Sequence, residues 1–86
     1  MVPTMKQDIH IHPPLLAELE FLCRFDLNTR QTGVKVHHDA PKEVIDTAKR
    51  LHQKALITQP DGGYLTTLGL EAAERIQQAI ALLNVK

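Results

Sequence analysis

The chain has 86 residues, ten basic and ten acidic side chains for a formal net charge of zero, 43% hydrophobic residues and one cysteine. That is a single domain with too few aromatics (3%) to line a large substrate pocket, and its neutrality argues against a strongly electrostatic binder of nucleic acid or membranes. One cysteine excludes an internal disulfide, and no apolar run reaches the ~18 residues of a membrane span.

Residues 1–13 lack a helical pattern and are expected to be a flexible or peripheral segment ahead of a domain at 14–86. Ile9 and Ile11 alternate with His10 and His12, the pattern of a short edge strand. No basic-then-apolar leader opens the chain, so the expected compartment is the cytoplasm, with Cys23 a reduced, buried small hydrophobe. Pro13 and Pro14 suit a helix N-terminus, where a missing N–H costs little. Leu15, Leu16, Leu19, Leu22 and Cys23 then share a helical face, with Glu18, Glu20 and Arg24 facing elsewhere, which predicts a first helix over 14–25.

Residues 26–40 admit two readings. Asp26 or Asn28 caps a short helix running through Gln31 to Val36, weakened by Gly33, or Val34–His37 alternates as a strand. The next helix is clearer, over 41–55. Pro41 fits its first position and Glu43 its positive dipole end. Val44, Ala48, Leu51 and Ala55 form the packing face, with Ile45 and His52 at its edge. Lys42, Asp46, Lys49, Arg50 and Gln53 fall on the opposite arc, so Lys49 and Arg50 are expected to tolerate charge reversal without loss of fold.

Leu56-Ile57 and Tyr64-Leu65 flank Pro60-Asp61-Gly62-Gly63, a turn sequence that supplies positive φ at Gly62 or Gly63 and predicts a tight β-hairpin. Thr66 or Thr67 then caps a last helix over about 67–84. Leu68, Ala72, Ala73, Ile76, Ala79, Ile80 and Leu83 form its expected buried stripe. Gly69 in the first turn lets the helix approach the hairpin closely. Leu70, Ala81 and Leu82 lie off that stripe. The expected fold is therefore α+β and mainly helical, with three or four helices and a short hairpin.

Charge is unevenly spread. Residues 24–58 hold seven Lys or Arg against four acids, net +3, whereas 1–23 carry −2 and 59–86 carry −1. On the middle third, Lys42, Lys49, Arg50, Gln53 and Lys54, with Arg30 and Lys35 adjacent, form a candidate DNA-binding face: cations for phosphates, Arg and Gln for base edges. The competing reading is an ordinary solvated face, with Asp46 paired to Lys49 or Arg50. The five histidines and Cys23 match no metal-binding spacing, so no metal or cofactor is expected. No phosphate loop or nucleophile pair points to an enzyme. Leu70, Leu82 and Leu83 are the candidate residues of a homodimer interface on the last helix.

Leu51, Lys54, Leu56-Ile57, Asp61-Gly62-Gly63, Leu65-Thr66 and Gly69 resemble the end of winged-helix regulators such as the multiple-antibiotic-resistance repressors, with Ala55 where those carry Gly. The stretch 14–83 also resembles a family of short uncharacterised bacterial proteins sometimes labelled DNA-binding. The resemblance implies a winged-helix-like fold in which helix 41–55 enters DNA and hairpin 56–66 is the wing. The alternative is a non-enzymatic protein-interaction module on the same scaffold, which the zero net charge and the acidic tip residue Asp61 favour.

Overall fold

A computed structural model describes residues 10–29 and 32–84. Among them the order is α1 (Pro13–Leu22), β1 (Val34–Lys35), α2 (Lys42–Gln53), β2 (Ile57–Gln59), β3 (Gly62–Leu65) and α3 (Thr67–Leu83). The three strands form one antiparallel sheet in the order β1-β3-β2. The small, mainly helical α+β class expected from the sequence is what forms, with three helices and no fourth among the described residues.

α1 starts where the two prolines allow. His12, in extended conformation, places its Nδ1 to accept from Leu15 N–H at 3.2 Å, and Pro13 and Pro14 occupy the first turn. His10–His12 form no strand, and Ile9 lies outside the described residues, as do the first eight. The helix ends at Leu22, three residues short of expectation. The leucine face anticipated is only partly the buried one: Leu22 is buried and Leu15, Leu19 and Cys23 are half-buried, but Leu16 is exposed, and Glu18 and Phe21, which were not on that face, point inward.

Between α1 and α2 the described residues form no helix. Val34 and Lys35 pair instead with Gly63 and Gly62 of β3, and Val36 donates its N–H to Asp61 O at 2.8 Å. The strand reading of this segment holds. The helical one fails at Val34, where sheet pairing takes the backbone groups a helix would need. A turn closed by Ala40 N–H to His37 O leads into α2. Pro41 is the N-cap rather than the first helical residue, with no side-chain cap.

α2 buries Thr47, Ala48 and Leu51. Ala55 is not on that packing face: it lies past the helix end at φ 63° and is exposed. Its N–H bonds His52 O and the Leu56 N–H bonds Leu51 O, both at 3.0 Å. That pair of bonds is the glycine-type helix stop, here made by an alanine.

The hairpin turn is Pro60-Asp61. Ile57 pairs with Leu65 and Gln59 with Gly62, so the register slips by one residue, and Gly62 and Gly63 absorb the bulge with φ of 124° and 78°. Thr66 caps α3, its Oγ1 accepting from Gly69 N–H at 3.0 Å and donating to Ala55 O at 2.6 Å. Gly69 passes so near β2 that a Cβ there would stand 1.8 Å from Leu56 O.

The core is Phe21, Leu22, Phe25, Val36, Ala48, Leu51, Ile57 and Ala73, with Leu27, Val44, Ile45, Leu56, Leu65, Ala72 and Ile76 packed around it. The expected stripe of α3 is therefore only half realised. Ala73 is buried and Ala72 and Ile76 partly so; Leu68 in the first turn is exposed, and Ala79, Ile80 and Leu83 are exposed because the core ends before them. No helix among the described residues is long and apolar enough to cross a membrane.

Two substitutions test this geometry. Ala55→Gly should stabilise the domain by about 0.5–1 kcal/mol, since glycine accepts the left-handed conformation without a Cβ penalty. Thermal unfolding should shift upward by a few degrees. Gly69→Ala should cost at least about 3 kcal/mol, because the clashing Leu56 oxygen is backbone and cannot rotate away; chemical denaturation would measure it.

Candidate functional site

Of the seven residues expected on a DNA-binding face, the structure recruits several for internal work. Glu18, mid-helix on α1 and buried, receives Arg50 Nε at 3.1 Å on Oε2 and Lys54 Nζ on Oε1. Arg50 also donates from its terminal nitrogen to Pro14 O at 3.2 Å and to Thr47 Oγ1 at 3.1 Å. Thr47 in turn donates to Glu43 O at 2.6 Å. This cluster fastens α1 to α2. Arg50 is thus part of the fold, and its reversal, which sets a carboxylate against Glu18, is expected to destabilise the domain, contrary to the helical-wheel expectation.

Burial by itself would push the Glu18 carboxyl up, but hydrogen bonds from Lys54 and then Arg50, with their charges, outweigh it and hold the group below its ordinary value of 4.5. A carboxylate enclosed this way is stabilising only while both cations stay.

The remaining cations lie apart. Lys35 on β1 pairs with Asp61 at the hairpin tip, and hydrogen bonding from Lys35 lowers the Asp61 pKa. The acidic hairpin tip is thereby neutralised by a neighbouring strand. Lys42 sits 3.9 Å from Asp46 in an exposed pair, a pairing the sequence reading had given to Lys49 or Arg50. Lys49 and Gln53 are exposed, and Lys49 has no ion-pair partner among the described residues. Arg30 lies outside the described residues. The exposed side of α2 is therefore of mixed charge: Lys42 and Lys49 beside Glu43 and Asp46.

The residues expected at a dimer interface also separate. Leu82 and Leu83 are 75% and 83% exposed at the end of α3, with Ile80 41% exposed one turn earlier. Leu70, twelve residues before Leu82 and thus about 18 Å away along the axis, is half-buried and lines a small pocket with Phe25, Leu27, Tyr64 and Leu65. Gln77 is the last tether of α3 to α1, its Nε2 donating to Phe25 O at 3.1 Å and more weakly to Leu22 O. Residues 78–84 beyond it are all exposed. From Ile76 to Asn84 the helix carries no charged side chain.

Nothing among the described residues gathers three His, Cys, Asp or Glu side chains where a metal ion could sit. Burial and then the Glu20 charge raise the Cys23 thiol, which keeps it protonated and a poor nucleophile.

The residue that sequence reasoning missed is Glu18. Its signal was present: Leu15, Phe21 and Leu22 stand at spacings −3, +3 and +4 from it, all on its own helical face. The Arg50/Lys54 pair, one turn apart on α2, is the matching two-cation clamp.

Replacing Glu18 with Gln should cost about 1–3 kcal/mol near neutral pH. Because the folded-state pKa lies below the unfolded one, this contribution is present above the unfolded value and is lost as pH falls through the folded value. Urea unfolding should therefore show the gap between wild type and Glu18→Gln closing as the pH is lowered from about 7 to about 3.

The chain matches a family of unknown function, DUF5669, over residues 9–84, and belongs to it. Comparison with curated proteins and with solved structures finds no match.

Proposed function

We propose that this chain is a non-enzymatic interaction module on a winged-helix-like scaffold, and that the apolar end of α3 joins two copies of it. The observation that carries this reading is the exposure of Ile80, Leu82 and Leu83 on the last turns of a helix that outruns its core. An apolar, solvent-facing end on a small domain marks a contact surface. The stretch 76–84 is uncharged, so a second copy meets it without like-charge repulsion. A two-fold contact would bury each of the three side chains twice. At roughly 1.5–3 kcal/mol per side chain, that offsets the ~4–15 kcal/mol cost of association. Ile80 is already partly covered, so the balance points to a dimer of moderate affinity.

A second reading, DNA binding, draws support from connectivity. The order α1-β1-α2-β2-β3-α3 with sheet order β1-β3-β2 is compatible with a winged helix in which α2 lies beside the hairpin. Charge is against it: Arg50 and Lys54 are held by Glu18 and Lys35 by Asp61, which leaves Lys42, Lys49 and Gln53 for contacts.

Sedimentation equilibrium should show a wild-type dimer. Leu82→Glu should give a monomer of unchanged helicity, since Leu82 is largely exposed and outside the core. A wild type that stays near 10 kDa at high concentration overturns the dimer. In parallel, titration of a DNA duplex at low salt should show weak binding at most. Tight, steeply salt-dependent binding that Lys42→Glu with Lys49→Glu abolishes would favour the second reading.

A further inference from the structure

On a different face of α2 from the Glu18 clamp, α2, the β1–α2 loop and the hairpin tip line an open groove of about 300 Å3. Its floor is apolar, made by Val36, Ile45 and Pro60. Its charged and titratable lining is Lys49 from α2, Lys35 at the end of β1, Asp61 from the tip, and His37 and His38 from the loop. Asp61 is already taken by Lys35. Lys49 and the two imidazoles have no side-chain partner among the described residues, so the rim presents unspent donors around an apolar floor. The lining carries a net positive charge in a chain whose total is zero.

We infer that this groove is a docking site for a short acidic-apolar peptide segment of another protein, with a carboxylate on Lys49 and an apolar side chain over Ile45 and Pro60. The groove is not enclosed, and it is lined in part by exposed side chains such as His37, His38 and Pro60, which suits part of a peptide rather than a buried metabolite. Its size takes one or two side chains. The histidines offer hydrogen bonds to the peptide's carboxylates or carbonyls. This inference rests on the reading of the chain as an interaction module, but not on the α3 contact, which lies at the far end of another helix.

The test is fluorescence anisotropy with the full chain at low salt and a fluorescein-labelled peptide, Asp-Glu-Leu-Asp-Glu-Leu. Saturable binding in the range of about 10–100 μM is expected. Lys49→Glu replaces an attraction with a repulsion, and exposed pairs are worth about 0.2–1 kcal/mol each, so it should weaken binding by about two- to thirtyfold. Lys49 is exposed, and circular dichroism should show the variant fully folded. The amide analogue Asn-Gln-Leu-Asn-Gln-Leu and the leucine-free Asp-Glu-Gly-Asp-Glu-Gly should each bind more weakly than the parent. Leu82→Glu should bind the peptide as wild type does, which separates failure of this site from failure of the α3 contact. No binding up to about 1 mM peptide, equal binding of the amide analogue, or indifference to Lys49→Glu overturns the proposal. So does a DNA duplex that binds through Lys49 while the peptide does not.

Discussion

The second half of this domain is organised around two consecutive backbone carbonyls, those of Ala55 and Leu56. Ala55 O receives the Thr66 hydroxyl, and Leu56 O receives the Thr66 N–H at 3.1 Å. The same Thr66 caps α3 through Gly69, whose missing Cβ lets the helix lie against Leu56. One threonine and one glycine thus join the end of α2, the start of β2, the end of β3 and the first turn of α3. The arrangement demands that α2 stop abruptly and the chain reverse, which is why Ala55 adopts a left-handed conformation. With α3 pinned at its N-terminus, its course is set. A helix of 17 residues runs about 26 Å, and its last core-contacting residue is Ile76. Beyond the Gln77 tether, residues 78–84 are all exposed. Their exposure follows from where the helix is anchored rather than from their own composition.

Charge is arranged by a similar non-local choice. Along the sequence, residues 24–58 form an electropositive third. In space, Arg50 and Lys54 turn toward α1 and Lys35 toward the hairpin, so three of the cations meet carboxylates of other segments. The desolvation of Glu18 is offset by two charge-assisted hydrogen bonds and by the Arg50 contact to Pro14 O. What this achieves is placement: α1 is locked at a definite position on α2 through polar groups of fixed geometry, while Phe21, Leu22 and Leu51 supply the burial. No buried side-chain nitrogen or oxygen among the described residues lacks a partner, so the clamp is complete rather than a strained remnant.

These two features mark the boundary of what the sequence discloses. The hairpin, the start of α2 to within a residue and the cap of α3 were legible because their signals are local: Pro41 ahead of a helical stripe, Asp-Gly-Gly between apolar pairs, Thr66 three residues before Gly69; the end of α2 was not, because Ala55 continues the apolar spacing yet takes the left-handed conformation. Glu18 was misplaced because its burial depends on two cations over thirty residues away. An acid in an apolar helix is ordinarily assigned to solvent unless its partners are seen. The α3 stripe was over-read for a related reason. Periodicity identifies a face that prefers burial, but not whether anything lies opposite it. The segment around Gly33 was ambiguous because two residues of strand, Val34 and Lys35, are too few to establish a period. Their structure is decided by the edge of β3.

The bracing of α2 is equally non-local. A helix-turn-helix supports its second helix with a first one immediately upstream. Here only residues 36–41 separate β1 from α2, and they hold a turn rather than a helix. α2 must then be steadied from elsewhere. The Glu18 clamp does this from α1, at the cost of the two cations nearest the C-terminal end of α2. β2 packs on α2 from the hairpin side through the buried Ile57, which joins Ala48 and Leu51 in the core. Bracing α2 on one flank by α1 and on the other by the sheet leaves open the loop side, where His37 and His38 sit with Lys49. The groove lies on that side, lined by Ile45 and Lys49 of α2, Val36, His37 and His38 of the turn, and Pro60 and Asp61 of the hairpin tip.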